Sequence, residues 1–191
     1  MRVAFLMLLA VGSVHAQAKK DEKKSVAAAA KPGAETLALR PLVGALVTAG
    51  TVKAGAYGPG TPEAPSKGKH TCKWMVSSLW LDCEIEDTVG TGDKAIKWIG
   101  HGMVGWDFEA KGYRAAFVDN MGMSSTMAGK LSGSKLVWES LGEMTMGGQA
   151  VKSRVTLDWS DPKAIKFTEE RQVGRAAPWM VAEESVMKPA K

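Results

Sequence analysis

Residues Lys69–Val89 read KHTCKWMVSSLWLDCEIEDTV, and their strict alternation leaves little choice of structure. Folded at Ser77-Ser78, the stretch pairs Val76 with Leu79, Trp74 with Leu81, Cys72 with Cys83 and His70 with Ile85 on one face. The other face pairs Met75 with Trp80, Lys73 with Asp82, Thr71 with Glu84 and Lys69 with Glu86. A period of two with one apolar side marks half-buried strands, and opposite charges facing each other across a strand pair stabilise it. A slip of one residue would turn Trp74, Leu81 and Ile85 out to water, so the register is strongly specified.

Short strands continue to the end of the chain. The candidates are Ala95–Trp106, Tyr113–Asp119, Met123–Leu131, Leu136–Leu141, Ala150–Trp159, Ala164–Gln172 and Trp179–Met187. Turn chemistry separates them: Gly90-Thr-Gly, Asp119-Asn-Met-Gly, Ser132-Gly-Ser-Lys and Ser160-Asp-Pro-Lys. Before the hairpin, Ala34–Ala45 offers one short helix interrupted at Pro41, and Ala49–Gly68 reads as one weak strand and a loop. Strands at this spacing, without helices between them, predict an antiparallel up-and-down meander. About ten of them can close into a barrel, which leaves no free edge. The expected fold class is therefore all-β, a single barrel over residues 34–191, with seven tryptophans to fill or line its interior.

The first residues point to export. Met1–Ala16 has Arg2, the apolar run Val3–Val11 and a small-residue cleavage site at Val14-His15-Ala16, the three parts of a signal peptide. The run is shorter than the roughly 20 residues that span a bilayer, so no transmembrane segment is expected once the signal is removed. The expected location is periplasmic or secreted. Gln17–Gly33 is a Lys/Ala-rich tether, expected to be disordered, because only Val26 could bury appreciable apolar surface. The chain has 25 Lys+Arg and 20 Asp+Glu, and the tether holds five lysines against Asp21 and Glu22. After Gly33 the count is 19 basic against 18 acidic residues. The charge sits in a tail rather than on a face, which argues against a nucleic-acid partner. No protein partner is specified.

Cys72 and Cys83 face each other in the hairpin register, where Cα atoms lie about 4.5–5.5 Å apart, within disulfide range. An even pair in an exported chain predicts a disulfide. The rival is a metal site, with His70 joining the two cysteines as three ligands. Met121, Met123, Met127, Met144 and Met146 offer soft thioethers to copper, although Met more often fills gaps in a core. Gly100-His-Gly-Met-Val-Gly105 matches a dinucleotide fingerprint by letter, but no βαβ unit surrounds it, and no cofactor is expected. His101 shares a face with Lys97, Ile99 and Met103 and reads as a surface histidine. There is no nucleophile elbow and no nominated base, so the chain leans away from an enzyme.

The order of several motifs adds a resemblance. Leu42-Val43-Gly44, Trp74 through Leu81 with Ser77-Ser78 at the turn, Gly105-Trp106-Asp107 followed by Tyr113, Asp119-Asn120-Met121-Gly122, and Met146-Gly147 leading to Arg154 occur in succession. From about Leu42 onward the chain resembles an uncharacterised bacterial family, named only as a domain of unknown function. The resemblance implies a lipocalin-like barrel and no established reaction.

The functional expectation is a barrel that binds a small apolar or amphipathic ligand. Trp74, Leu81, Trp98 and Trp106 are expected to face the lumen, with room left by Gly100, Gly102 and Gly105. Glu169 and Arg171 share parity with Ile165 and Phe167, so they either point inward to orient a polar head group or lie solvated at a strand end. The alternatives are a filled barrel acting in envelope structure or interaction, with Met75–Trp80 as a contact patch, and a copper or zinc carrier.

Overall fold

The computed structural model describes residues 31–146 and 148–191. The expected signal peptide, and the tether up to Ala30, lie outside them. Lys31–Gly33 have no regular structure and lead into a one-turn helix, α1 (Ala34–Leu37), followed by a 3-10 turn over Arg40–Leu42. The chain therefore breaks its helix before Pro41, which sits in the first turn of the 3-10 segment, where its missing N–H costs nothing.

Eleven strands follow: β1 (Gly44–Val52), β2 (Ala64–Met75), β3 (Trp80–Val89), β4 (Ile96–Asp107), β5 (Gly112–Asp119), β6 (Ser124–Ser132), β7 (Lys135–Ser140), β8 (Met144–Met146), β9 (Gln149–Asp161), β10 (Ala164–Val173) and β11 (Met180–Pro189). All pair antiparallel. Each strand from β1 to β6 pairs with the next, β7 pairs with β9, β9 with β10, β10 with β11, and β11 returns to β1. The ring of ten is closed, as a lipocalin-like barrel requires. β8 prolongs the line of β7 along β9, with Leu141–Glu143 as the break between them.

The β2–β3 ladder has the register expected from alternation, with Cys72 opposite Cys83, Trp74 opposite Leu81 and Lys73 opposite Asp82. Its turn is tighter than ordinary residues favour. Leu79 N–H donates to Val76 O at 3.1 Å, and Ser77 and Ser78 take φ of 55° and 63°. Two central residues in the left-handed region suit the twist of a hairpin, but each costs a non-glycine residue about 1–2 kcal/mol.

The interior is divided in two along its axis. At the end where β1 begins, α1 and the 3-10 turn close the barrel. Leu39 and Leu42 join Leu81, Leu136, Trp138 and Met187 in one buried apolar cluster, and Leu39, Leu81 and Leu136 have no exposure at all. Tyr113 ties this closure down by donating its hydroxyl to Glu35 O at 2.9 Å. At the other end, where β1 finishes, the inward positions change character. Thr48, Ser66, Ser153, Arg171 and Ser185 are buried there, beside Val52, Val89, Val151 and Ala182.

Candidate functional site

The polar half of the lumen is assembled by alternation on five strands. β2 turns Ser66, Gly68 and His70 inward, β3 adds Asp87, β9 adds Ser153, β10 adds Glu169 and Arg171, and β11 adds Glu183. Gly68 pairs with Asp87. Any side chain at Gly68 would collide with the Asp87 carboxylate, which folds over this position to reach His70. His70 Nε2 lies 3.2 Å from both carboxylate oxygens. The side chains of His70 and Asp87 remain 16% and 24% exposed, so water reaches them.

Arg171 is the most heavily engaged group. Its Nε donates to Glu169 Oε1 at 2.8 Å and its Nη2 to Oε2 at 3.1 Å, a bidentate pair. Its Nη1 donates to Ala56 O, and the guanidinium lies 4.9 Å from the centre of the Tyr57 ring. Arg171 thereby pins the loop between β1 and β2 across the rim. Burial works against its charge, but Glu169 and Tyr57 outweigh burial and hold the guanidinium above its ordinary pKa.

Glu183 has less support. It accepts one hydrogen bond, 2.8 Å long, from Ser66 Oγ. Burial pushes its carboxyl above the usual range, Ser66 pulls it down, Glu169 and Asp87 push it up, and His70 opposes them, with a net upward shift. Ser153 Oγ, directly across the β9–β10 ladder from Arg171, is buried without a hydrogen-bond partner among the described residues. A buried hydroxyl without a partner costs about 1–3 kcal/mol, so it calls for an explanation.

The facing wall is aromatic. Around the closed ring, β4 stands five places from β10 in either direction, and β5 stands five from β11. β4 and β5 carry Trp98 and Phe117 on inward positions; Trp98 Nε1 donates to Asp119 Oδ2 at 3.1 Å, and Phe117 packs against the apolar cluster of the sealed half. The expected empty space at the glycines is absent. The Trp98 ring lies over Gly100, the Phe117 ring over Gly102, and the Trp80 ring over Gly105 on the outer face. Each glycine admits a ring in the place its own side chain would take, so Gly100 and Gly102 build an aromatic wall rather than a hollow.

The sequence-nominated residues divide between the two halves. Leu81 is fully buried in the apolar cluster, and Trp74 and Trp106 pack against it half-buried. Trp98, Glu169 and Arg171 belong to the polar half, and the two charged residues point inward as a pair rather than lying solvated at a strand end. Sequence reasoning missed Ser66, Asp87, Ser153, Glu183 and Tyr57. Asp87 shares parity with Cys83 and Ile85, and Glu183 with Ser185 and Met187, a signal available in the sequence.

Cys72 and Cys83 are bonded. The bond uses both sulfurs, so the alternative His70–Cys72–Cys83 metal set has no thiolate to offer. The five methionines have unlike surroundings. Met127 is in the core, Met121 and Met123 are exposed, and Met146 Sδ lies 3.8 Å from Arg171 Nη1. His101 is on the outside, with Nε2 2.7 Å from Asp82 Oδ1. An open groove of about 870 Å³ runs beside α1 at the closed end, where Trp106, Tyr113, Gly129 and Leu131 line it with Arg114 and Glu139. It holds no constellation comparable with the lumen cluster.

The closed ten-stranded antiparallel ring, sealed at one end and polar at the other, defines a lipocalin-like barrel. The model of the family described as "Protein of unknown function (DUF1579)" matches residues 31–187, and the chain belongs to that family. No curated protein matches it. Among the described residues no helix is long and apolar enough to cross a membrane.

Proposed function

We propose that the protein is an exported binding module that holds a small amphipathic ligand in the polar half of its barrel. The observation that carries this reading is the division of the interior. One half is sealed by its own apolar side chains, while the other keeps charged groups within reach of water beneath a rim loop. Burying Arg171, Glu169, Glu183 and an unpartnered Ser153 is costly, and such groups are retained where they orient a ligand. Trp98 on the facing wall offers apolar surface to the rest of the molecule. Export is supported by the signal-like Met1–Ala16 and by the disulfide, which persists in oxidising compartments.

The experiment is native mass spectrometry of protein purified from its own host, followed by the same measurement after denaturation. The reading expects a mature chain beginning near Gln17 and a non-covalent adduct that is lost on unfolding. The filled apolar half also fits a barrel with a purely structural role in the envelope. That role takes precedence if the native protein carries no adduct and broad panels of amphipathic molecules fail to quench Trp98 saturably.

A further inference from the structure

We infer that the ligand head is a cation, a protonated amine or a comparable organic cation, and that Glu183 is its counter-ion. This rests on the proposed binding role of the same half-lumen and names the chemistry it selects.

Among the described residues the inward positions carry four carboxylates, Asp87, Asp119, Glu169 and Glu183, against one permanent cation, Arg171, and Asp119 is taken up by Trp98 Nε1 and the N–H groups of Met121 and Met123. Barrels that bind carboxylate ligands need a free basic group, and Arg171 is not free. Glu169 takes its Nε and Nη2, and Ala56 O takes Nη1. An anionic head would have to displace Glu169 and leave that carboxylate buried beside it, at a cost greater than the gain. Asp87 is engaged with His70. Glu183 is left with one neutral partner, the Ser66 hydroxyl, and it faces the like charges of Glu169 and Asp87. A half-buried carboxylate so placed is stabilised by any cation brought to it.

Two further features fit the same class of ligand. Ser153 is 6% exposed, and its hydroxyl, without a partner among the described residues, stands beside Arg171 with lone pairs available to an N–H donor. The wall facing β10 presents the Trp98 ring, whose π face attracts cations and whose area suits an apolar body. A carboxylate that lacks a cation, an unpaired hydroxyl and an aromatic wall converge on one molecule: an apolar or aromatic body ending in a positive charge.

The test uses three probes with one tail, decylammonium, decanol and decanoate. Each is titrated at neutral pH into the disulfide-bonded protein, with affinity read by calorimetry and tryptophan emission. The ammonium should bind tighter than the alcohol by about tenfold, the worth of one charge-assisted hydrogen bond, and the carboxylate should bind weakest. Glu183→Gln keeps the acceptor for Ser66 and should abolish the preference for the ammonium over decanol. Raising the salt concentration in the unmodified protein should weaken the ammonium alone, a check that needs no variant to fold. Equal binding of all three probes, or tightest binding of decanoate, overturns the cation inference and leaves the binding role standing. Failure of all three to bind removes both.

Discussion

Replacing Arg171 by Met removes the group around which the polar half is organised. The change deletes the bidentate pair with Glu169, the bond to Ala56 O and the stacking on Tyr57, while nearly conserving the length of the side chain. The Arg171 and Glu169 side chains are only 10% and 16% exposed, so the carboxylate left behind is poorly solvated. Breaking a buried pair from one side costs about 3–5 kcal/mol, most of it the stranded charge. Removing that charge as well, in Arg171→Met with Glu169→Leu, should therefore recover about 2 kcal/mol or more, the coupling expected of two groups in direct contact. The assay is urea unfolding of the oxidised protein followed by tryptophan emission, with comparison of slopes to exclude a changed unfolded state. If Arg171→Met costs less than about 1 kcal/mol and the double variant is merely additive, the pair behaves as a surface ion pair, and the account of the polar half fails.

Other consequences can be measured separately. Ser77→Asn with Ser78→Gly should stabilise the protein by about 1–2 kcal/mol, because it puts residues tolerant of positive φ at the β2–β3 turn; an unchanged urea midpoint counts against the strain. Reduction of Cys72–Cys83, which are 11 positions apart, should cost at most about 3 kcal/mol, and less if the hairpin persists in the unfolded chain, as read by urea unfolding with and without reductant. Gly100→Ala should displace the Trp98 ring from its bond to Asp119, cost about 1–3 kcal/mol and shift the emission spectrum; a silent substitution would mean the ring does not lie there. Glu183 is raised, so the fold holds its proton more tightly than the unfolded chain does, and this group makes stability fall as pH rises from the usual carboxylate range through the raised value. Glu183→Gln should accordingly stabilise the ligand-free protein at neutral pH and be neutral below about pH 4, where both states are protonated. Thermal melts across pH should separate its contribution from those of the facing Asp87, His70, Glu169 and Arg171, which the variant retains.

The hairpin was legible because alternation and charge pairing act over a few neighbouring residues, and every pair from Met75–Trp80 to Lys69–Glu86 forms as the pattern implies. β1 was harder. Gly44-Ala45 and Thr48-Ala49-Gly50 are too small to alternate visibly, so the strand was placed late. β8 leaves no mark in the sequence, because three residues carry no period. Parity put Glu169 and Arg171 on the inward side of β10 but could not choose between a paired and a solvated end, since the loop carrying Ala56 and Tyr57 decides that. Glu183 and Ser66 lie 117 positions apart and meet only because β11 closes on β1. The glycines of β4 misled for the same reason. What fills the space above Gly102 is a ring from β5, and a strand read alone does not show its neighbours.

The most direct test of a lumen that is half sealed and half open to a ligand is a crystal structure of the protein purified from its own host. The space between Trp98 on β4 and Glu183 on β11 is the region to inspect. The account predicts continuous non-protein density there, in contact with Glu183 and Ser153, and none among Leu39, Leu81 and Leu136. Side chains packed across that space, leaving only isolated waters, would contradict it and identify the barrel as a filled structural domain.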